Sequence, residues 1–424
     1  MTALDVYFHS DLVGRLERLP GAELGFAYEA VWAGAADSTP LSLALPLREE
    51  PFGDPECRPF FSGLLPEGEF LKAIARAFHI SAGNPFSVLA EIGGECAGAV
   101  SLVSPEEEPP FVAAPPPRWL GGSEMGELLA ELPSRPLLFG VDQEDEGLRL
   151  SLAGARDKLP VLAREGQLGI TQGRPPSTHL IKTPIPDVDG MVANEAFCMA
   201  LANEAGLAAA EATPIHIGDQ EGLLVTRYDR ARDGDAVHRI HQEDFCQALG
   251  CLPEYKYESE GGPGVGACAS LLRRNSAAPA VDLLGFLDAL LFNLLIGNSD
   301  AHAKNYSLLL EGSETPRLAP LYDLLSTRVY GRRFGHKMAM KYGGEYRPDR
   351  VRGRHLDRLA KELGIASRRV RIRAHTLAGI VTTSTERARR RLPLEWQGSE
   401  VIDGVIEVVL EMARLVWNAA DERD

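Results

Sequence analysis

Asp300 and Asn305 stand in the stretch SDAHAKNY, Ser299 to Tyr306. Their D-x-x-x-x-N spacing is one in which a carboxylate takes a hydroxyl proton and an amide oxygen binds magnesium during phosphoryl transfer. An ordinary turn uses the same two residue types, because their side chains bond the local backbone. Other residues in the chain bear on that choice. Lys182, in THLIKTPI at Thr178 to Ile185, is a cation in a strand-like segment, where a lysine either reaches out to solvent or meets an anion. Ala153, Gly154 and Ala155 form a small-residue turn that lets backbone N–H groups approach phosphate oxygens, although a plain hairpin needs no more. Asp323, in LAPLYDLLST, supplies a later carboxylate. Phosphoryl transfer asks for these types: oxygens to hold magnesium, a cation against the phosphates, and a base beside the attacking hydroxyl.

Stable elements must hold such groups in place. Phe286, Leu287, Leu290, Leu291, Leu294 and Leu295 recur at helical spacing, and Gly297 with Asn298 offers a C-terminal stop. The polar turn from Ser299 to Asn305 then gives way to a strand at Tyr306 to Leu310. Lys158 to Arg164, Thr178 to Ile185, Thr213 to Gly218 and Leu223 to Tyr228 read as strands, and Met191 to Gly206 as a helix with Glu195 near its start. Leu148 to Gly154 reads as a further strand before the turn. Beyond Arg230 the pattern turns mainly helical, with helices expected at Gln242 to Leu249, Gly266 to Arg274, Asp282 to Ile296, His355 to Leu363, Arg368 to Arg390 and Val401 to Trp417. Ahead of all this, alternating runs between Leu4 and Glu29, helices near Leu71 to Phe78 and Pro85 to Ile92, and a strand at Ala97 to Val103 describe a small α+β unit. PEEEPPFVAAPPPR, Pro105 to Arg118, reads as a linker.

With 424 residues, 45% of them hydrophobic, the chain can bury one large core or two to three domains. No apolar run is long enough for a membrane span, and the amino terminus lacks the basic start and apolar core of a signal peptide. Six scattered cysteines without C-x-x-C or zinc spacing fit reduced thiols in a cytoplasmic protein. A net charge of −16 argues against coating nucleic acid through the overall field. The arginines at 368, 369, 371, 373, 387, 389, 390 and 391 leave open either a solvated helix face or a local nucleic-acid contact.

The order of parts is that of a bilobal kinase: strand-bound turn, strand lysine, helix glutamate, connecting strand, catalytic turn, late aspartate. General kinase logic makes Glu195 a partner for Lys182. The sequence resembles the HipA-type serine/threonine kinase toxins of bacterial type II toxin–antitoxin systems. The resemblance is carried by FFSGLLPEG (Phe60 to Gly68), GAVSL (Gly98 to Leu102), LSLAGARDKLPVL (Leu150 to Leu162), THLIKTPI, NEAFCMALA (Asn194 to Ala202), LLVTRYDR (Leu223 to Arg230), IGNSDAHAKNYSLLL and LAPLYDLLS. It implies an α+β, bilobal protein-kinase-like fold with a HipA-type amino-terminal subdomain over 1–104, a linker at 105–118, a kinase N-lobe at 119–230 and a helical C-lobe at 231–424. It further implies ATP and Mg2+ as cofactors, Asp300 as base, Asn305 and Asp323 as magnesium ligands, and Lys182 on the ATP phosphates. Ala153, Gly154, Ala155, Arg156, Asp157 and Lys158 would cover those phosphates, and Thr226, Arg227 and Tyr228 would line the adenine site. His302, Lys304 and Tyr322 fall inside matched ATP-site segments, and Ser151 matches the family's autophosphorylation position, an off-switch.

Against ordinary protein kinases, Asp300 follows Gly297, Asn298 and Ser299 where those carry His-Arg, and Asp323 precedes two leucines in place of Phe-Gly. The implied partners are a translation component as substrate, an aminoacyl-tRNA synthetase, and a HipB-like helix-turn-helix antitoxin with operator DNA reached through it. Two alternatives remain open at this point. One is a weakly active corepressor on operator DNA, motivated by the carboxy-terminal arginines. The other is a small-molecule kinase.

Overall fold

The computed structural model describes residues 2–109, 116–132, 158–171, 176–185, 187–234, 236–310 and 316–422. Ser151 and the turn from Ala153 to Asp157 lie outside them, as do residues 110–115 of the expected linker. The chain divides into two compact units. One takes the chain up to Thr183, Ile215–Pro253 and a short piece from Leu309. The other takes Pro184–Pro214, Glu254–Leu308 and the remainder.

The first unit opens with the antiparallel sheet that the alternating runs predict. Its strands β1 (Ala3–Phe8), β2 (Asp11–Arg18), β3 (Leu24–Tyr28) and β4 (Val100–Val103) lie in the order β3-β2-β1-β4. Leu4, Val6 and Phe8 alternate inward from β1 because side chains on a strand point to opposite faces in turn. Gly14 on β2 is required by close approach: a Cβ there would lie 2.5 Å from the Ala27 carbonyl oxygen. Helices α1 (Asp54–Gly63), α2 (Gly68–Ala77) and α3 (Pro85–Ile92) close this core with Phe60, Phe61, Phe70, Ile74 and Phe86.

A second sheet runs in the order β5-β7-β6-β8-β10-β9. Its strands are β5 (Arg118–Leu120), β6 (Lys158–Arg164), β7 (Gln167–Ile170), β8 (His179–Lys182), β9 (Ala212–Ile217) and β10 (Gln220–Thr226). Helix α4 (Gly122–Glu131) lays Met125 and Leu129 against Leu159, Val161 and Ile181 of that sheet.

The mainly helical stretch expected beyond Arg230 begins later than the pattern predicts. A hairpin, β11 (Arg230–Asp233) with β12 (Ala236–Arg239), follows first, and β13 (His241–Asp244) takes the first three residues of the helix expected at Gln242 to Leu249. Asp244 is the reason. Its carboxylate accepts from the Gln247 N–H at 2.9 Å while the Gln247 side chain accepts from the Asp244 N–H at 2.9 Å, a capping box that starts the helix only at Phe245.

The second unit is helical: α5 (Met191–Glu204), α6 (Val265–Asn275), α7 (Pro279–Leu295), α8 (Gly353–Leu363), α9 (Ser367–Arg391) and α10 (Glu400–Asp421). The long helix α9 packs against α5, α7, α8 and α10. Its arginines are largely committed to acids within the unit: Arg371 to Asp357, Arg373 to Asp288, Arg387 and Arg391 to Glu204, and Arg389 to Asp403. Among the described residues no helix is long and apolar enough to cross a membrane, and all six cysteines are free thiols.

Candidate active site

Helix α7 delivers the polar turn. The six apolar residues that predict it are all buried. Its end is a Schellman motif: Gly297 N–H bonds to Leu294 O at 3.2 Å and Asn298 N–H to Asn293 O at 2.9 Å. Gly297 has φ of +65°, and a Cβ there would stand 2.8 Å from Cβ of Arg328, so both conformation and space demand glycine.

Asn298, buried after the cap, is the hub of the turn. Its amide oxygen accepts from the Asp300 N–H at 3.0 Å. Its amide nitrogen donates to Asn293 Oδ1 at 2.9 Å and to the Asp323 carbonyl at 3.4 Å. Ser299 is tied to Thr327 through both its N–H and its hydroxyl, and Thr327 Oγ1 donates in turn to Gly297 O at 3.0 Å. The Asp300 carbonyl accepts from the His302 N–H at 2.8 Å and from the Asn305 amide nitrogen at 3.0 Å. A single 3-10 turn, Ala303–Asn305, closes the segment before the strand at Ser307–Leu310. Asp300 itself is exposed, and Tyr257 Oη donates to its Oδ1 at 2.5 Å.

The late aspartate belongs to the same unit. Leu321 is held from both sides, its N–H on Ala208 O at 2.8 Å and its carbonyl on Ala210 N–H at 2.9 Å. Tyr322 donates to Lys304 O at 2.7 Å and meets Ser307 Oγ at 2.6 Å. Asp323 has φ of +54°, an uncommon conformation for a side-chain-bearing residue. The unit thus brings Asp300, Asn305, Tyr322 and Asp323 onto one bonded framework, with His302 and Lys304 buried beside it. The Asn305 amide nitrogen is occupied by the Asp300 carbonyl, so its oxygen remains as a donor to a cation. That oxygen and the Asp323 carboxylate are both hard donors of the kind that could hold magnesium. Among the described residues no group of three or more His, Cys, Asp or Glu could hold a metal, so an ion here would complete its shell from phosphate oxygens and water.

In the first unit, Lys182 closes β8 as expected, and the register sets Lys158 of β6 directly opposite it. Directly opposed residues on antiparallel strands share a face, so the two lysines stand on one side of the sheet. Thr226 ends β10, followed by Tyr228 in an intermediate environment. Arg227 is different. Its guanidinium donates to both oxygens of Asp229, at 2.9 and 2.7 Å, to Ser177 Oγ at 2.8 Å and to Glu95 at 3.3 Å. Arg230 joins the cluster through Glu95, Asp229 and the Gly98 carbonyl. Burial alone would raise the Glu95 carboxyl, but the guanidiniums of Arg239, Arg227 and Arg230 outweigh it and hold the group below its ordinary range. The expectation that the Arg227 side chain lines a nucleotide therefore meets a physical objection: its donors already serve a buried ion cluster.

The HipA N-terminal domain family matches residues 4–103, and the HipA-like C-terminal domain family matches residues 150–385. The Y4mE protein of Sinorhizobium fredii, which carries a provisional kinase name, is 44% identical over 394 residues, covering 92% of this chain and 91% of its own. The chain belongs to the HipA family of kinases. The serine/threonine-protein kinase toxin HipA of Shewanella oneidensis is 31% identical over 321 residues, 72% of this chain and 71% of that one. A solved structure of Shewanella HipA with HipB and its operator DNA superposes with a TM-score of 0.84 at 25% identity, covering 99% of this chain and 100% of that one. The fold is accordingly HipA-like, and the resemblance read from the motifs holds at the level of family and fold. The ion cluster gains meaning in this frame: Glu95 lies in the segment matched to the HipA N-terminal domain, and Arg227, Asp229 and Arg230 lie in that matched to the C-terminal domain. Sequence reading missed Tyr257 on Asp300. The two are 43 residues apart and Tyr257 sits in a polar Gly-containing loop, so no local pattern links them.

Proposed function

We propose that this HipA-family kinase transfers the γ-phosphoryl group of ATP, with Mg2+, to a serine or threonine hydroxyl of a protein. The observation that carries the reading is the turn after α7: a solvent-facing carboxylate, Asp300, whose backbone N–H and carbonyl are both fixed by buried or bonded groups. A base that is held while its carboxylate stays accessible is what proton acceptance from an incoming hydroxyl requires. In this reading Asn305 and Asp323 hold the metal, which when bound offsets the charge on the phosphates. Lys182 and Lys158 take phosphate oxygens, consistent with two lysines opposed on one sheet face. Ser151 and the turn through Arg156 and Asp157 keep the roles that the family resemblance gives them, off-switch and phosphate cover. Tyr228 and Thr226 would meet the adenine, with Arg227 contributing main chain only.

The substrate in this reading is a translation component, an aminoacyl-tRNA synthetase. A HipB-like helix-turn-helix antitoxin restrains the enzyme and carries it to operator DNA, as the composition of the Shewanella complex suggests. Contact with DNA through the antitoxin fits the internal pairing of Arg371, Arg373, Arg387, Arg389 and Arg391 on α9, which weakens the motive of the corepressor reading. The test is Asp300→Asn, with ATP and a bacterial protein extract, products identified by mass spectrometry. Phosphoprotein formation falls by at least ~10²-fold. Undiminished transfer by the variant would sink the assignment.

A further inference from the structure

Tyr257 is built into the catalytic turn. It comes from the loop between the 3-10 turns at Pro253–Tyr255 and Glu258–Glu260, and its hydroxyl donates to Asp300 Oδ1 at 2.5 Å. Its ring stands edge-on to His302, with centroids 5.1 Å apart and planes at 89°. Edge-to-face contact of this kind fixes a ring as well as adding packing.

The loop behind it is closed tightly. The Tyr257 carbonyl accepts from the Glu260 and Gly262 N–H groups, both at 3.0 Å. A Cβ at Gly262 would fall 1.8 Å from the Tyr255 carbonyl oxygen, so the closure depends on glycine. The neighbouring Glu258 anchors the loop to the body of the unit: its N–H bonds to Ala339 O at 3.1 Å, and its carboxylate accepts from the Lys341 N–H at 2.6 Å. Tyr257 is thus presented to Asp300 by a pinned loop rather than by a side chain loose in solvent.

Two sets of bonds reach Asp300. Asn298, His302 and Asn305 hold its backbone, whereas Tyr257 holds its carboxylate. We infer that Tyr257 is a positioning residue: it fixes one carboxylate oxygen of Asp300 and thereby aims the other at the hydroxyl to be phosphorylated. This rests on the reading of Asp300 as the base. A general base is efficient only when its accepting atom lies within hydrogen-bond reach of the proton, and an exposed carboxylate with a free torsion spends little time so placed.

The experiment compares Tyr257→Phe and Asp300→Asn in the full-length chain. The probe is labelled ATP with a desalted bacterial protein extract, and initial rates are taken across ATP concentration. Phenylalanine keeps the ring against His302 and removes only the hydroxyl. The inference expects Y257F to lose about 10- to 100-fold in kcat with the KM for ATP and the melting temperature unchanged, and D300N to lose more. Wild-type or faster turnover by Y257F, alongside an inactive D300N, overturns the positioning role and leaves the base intact. A fall accompanied by a rising KM or a lower melting temperature marks damage to the loop and overturns it too. Full activity of D300N refutes the base itself, a result separable from the other two.

Discussion

Replacing Asn298 by aspartate changes one atom at the hub of the turn after α7 and nothing in the packing. The residue is 4% exposed. Its oxygen, which accepts from the Asp300 N–H, has a counterpart in Asn298→Asp, but its nitrogen becomes an oxygen facing Asn293 Oδ1, now 2.9 Å away, and the Asp323 carbonyl, now 3.4 Å away. Loss of the shorter bond costs about 1 kcal/mol, and leaving buried acceptors face to face adds ~1–3 kcal/mol. Protonation sets a ceiling, since a neutral carboxyl can donate where the amide did. At 1.36 kcal/mol per unit from a reference near 3.9, that ceiling is roughly 5–6 kcal/mol at pH 8 and ~1.5 kcal/mol at pH 5. The sign follows from the native state holding the proton more tightly than the unfolded one: stability is complete below the unfolded value and is lost as pH rises. Urea unfolding should therefore show a deficit of about 2–4 kcal/mol at pH 8 that shrinks to ~1.5 kcal/mol or less at pH 5. Asn298→Ala, which introduces no charge, should lose ~2 kcal/mol at either pH. A variant N298D as stable as wild type at pH 8, or equally impaired at both pH values, would refute the hub.

Two further outcomes concern the first unit. Arg227→Met strips the buried Asp229 and Glu95 of a shared counter-ion and should cost about 3–5 kcal/mol in denaturant unfolding; weaker ATP binding at unchanged stability would restore the side chain to the nucleotide site. Glu243, buried and accepting from Ser42 Oγ at 2.6 Å and the Leu43 N–H at 3.0 Å, is pushed up by burial to about 7. Its folded value exceeds its unfolded one, so its favourable share of stability is whole below pH 4.5 and lost as pH climbs through about 7. Glu243→Gln should remove that loss, so the stability of wild type relative to the variant should fall between about pH 5 and pH 8, measured by urea unfolding; a constant difference would mean that the carboxyl is ionised throughout.

Helix α7 and its glycine stop were legible because both signals are local: an apolar period of 3.6 and a left-handed residue where the helix must end. The strand carrying Lys182 was legible for the same reason, through the β-branched and apolar residues around it. The stretch from Arg230 to Asp244, RARDGDAVHRIHQED, hid its strands because it is mostly charged or polar and offers no alternation of apolar residues. Its inward-facing members are buried through ion pairs and hydrogen bonds, with partners more than a hundred residues away. Tyr257 and the roles of Asn298 were hidden likewise. A hydrogen bond across 43 residues, or one asparagine amide shared among three segments, depends on tertiary position and leaves no mark in spacing.

The ion cluster also bears on how the two HipA-family segments relate. Glu95 accepts from both Arg227 and Arg230, and Asp229 accepts from the same two arginines and from the Gly98 N–H. Removing residues 4–103 would withdraw Glu95 and the Gly98 backbone, leaving Arg227 and Arg230, with Arg239 close by, against Asp229 alone. The deletion thus breaks paired, hydrogen-bonded charges that are buried in the intact chain, and does more than uncover apolar surface. Ser42 adds a second tie through Glu243, and His241 bonds to Leu41 O at 2.8 Å. The amino-terminal segment is therefore part of the electrostatic core beneath β10 to β13 and not an appended module. A change at its junction with those strands acts directly on the segment that follows Thr226, where the proposed reading puts the adenine.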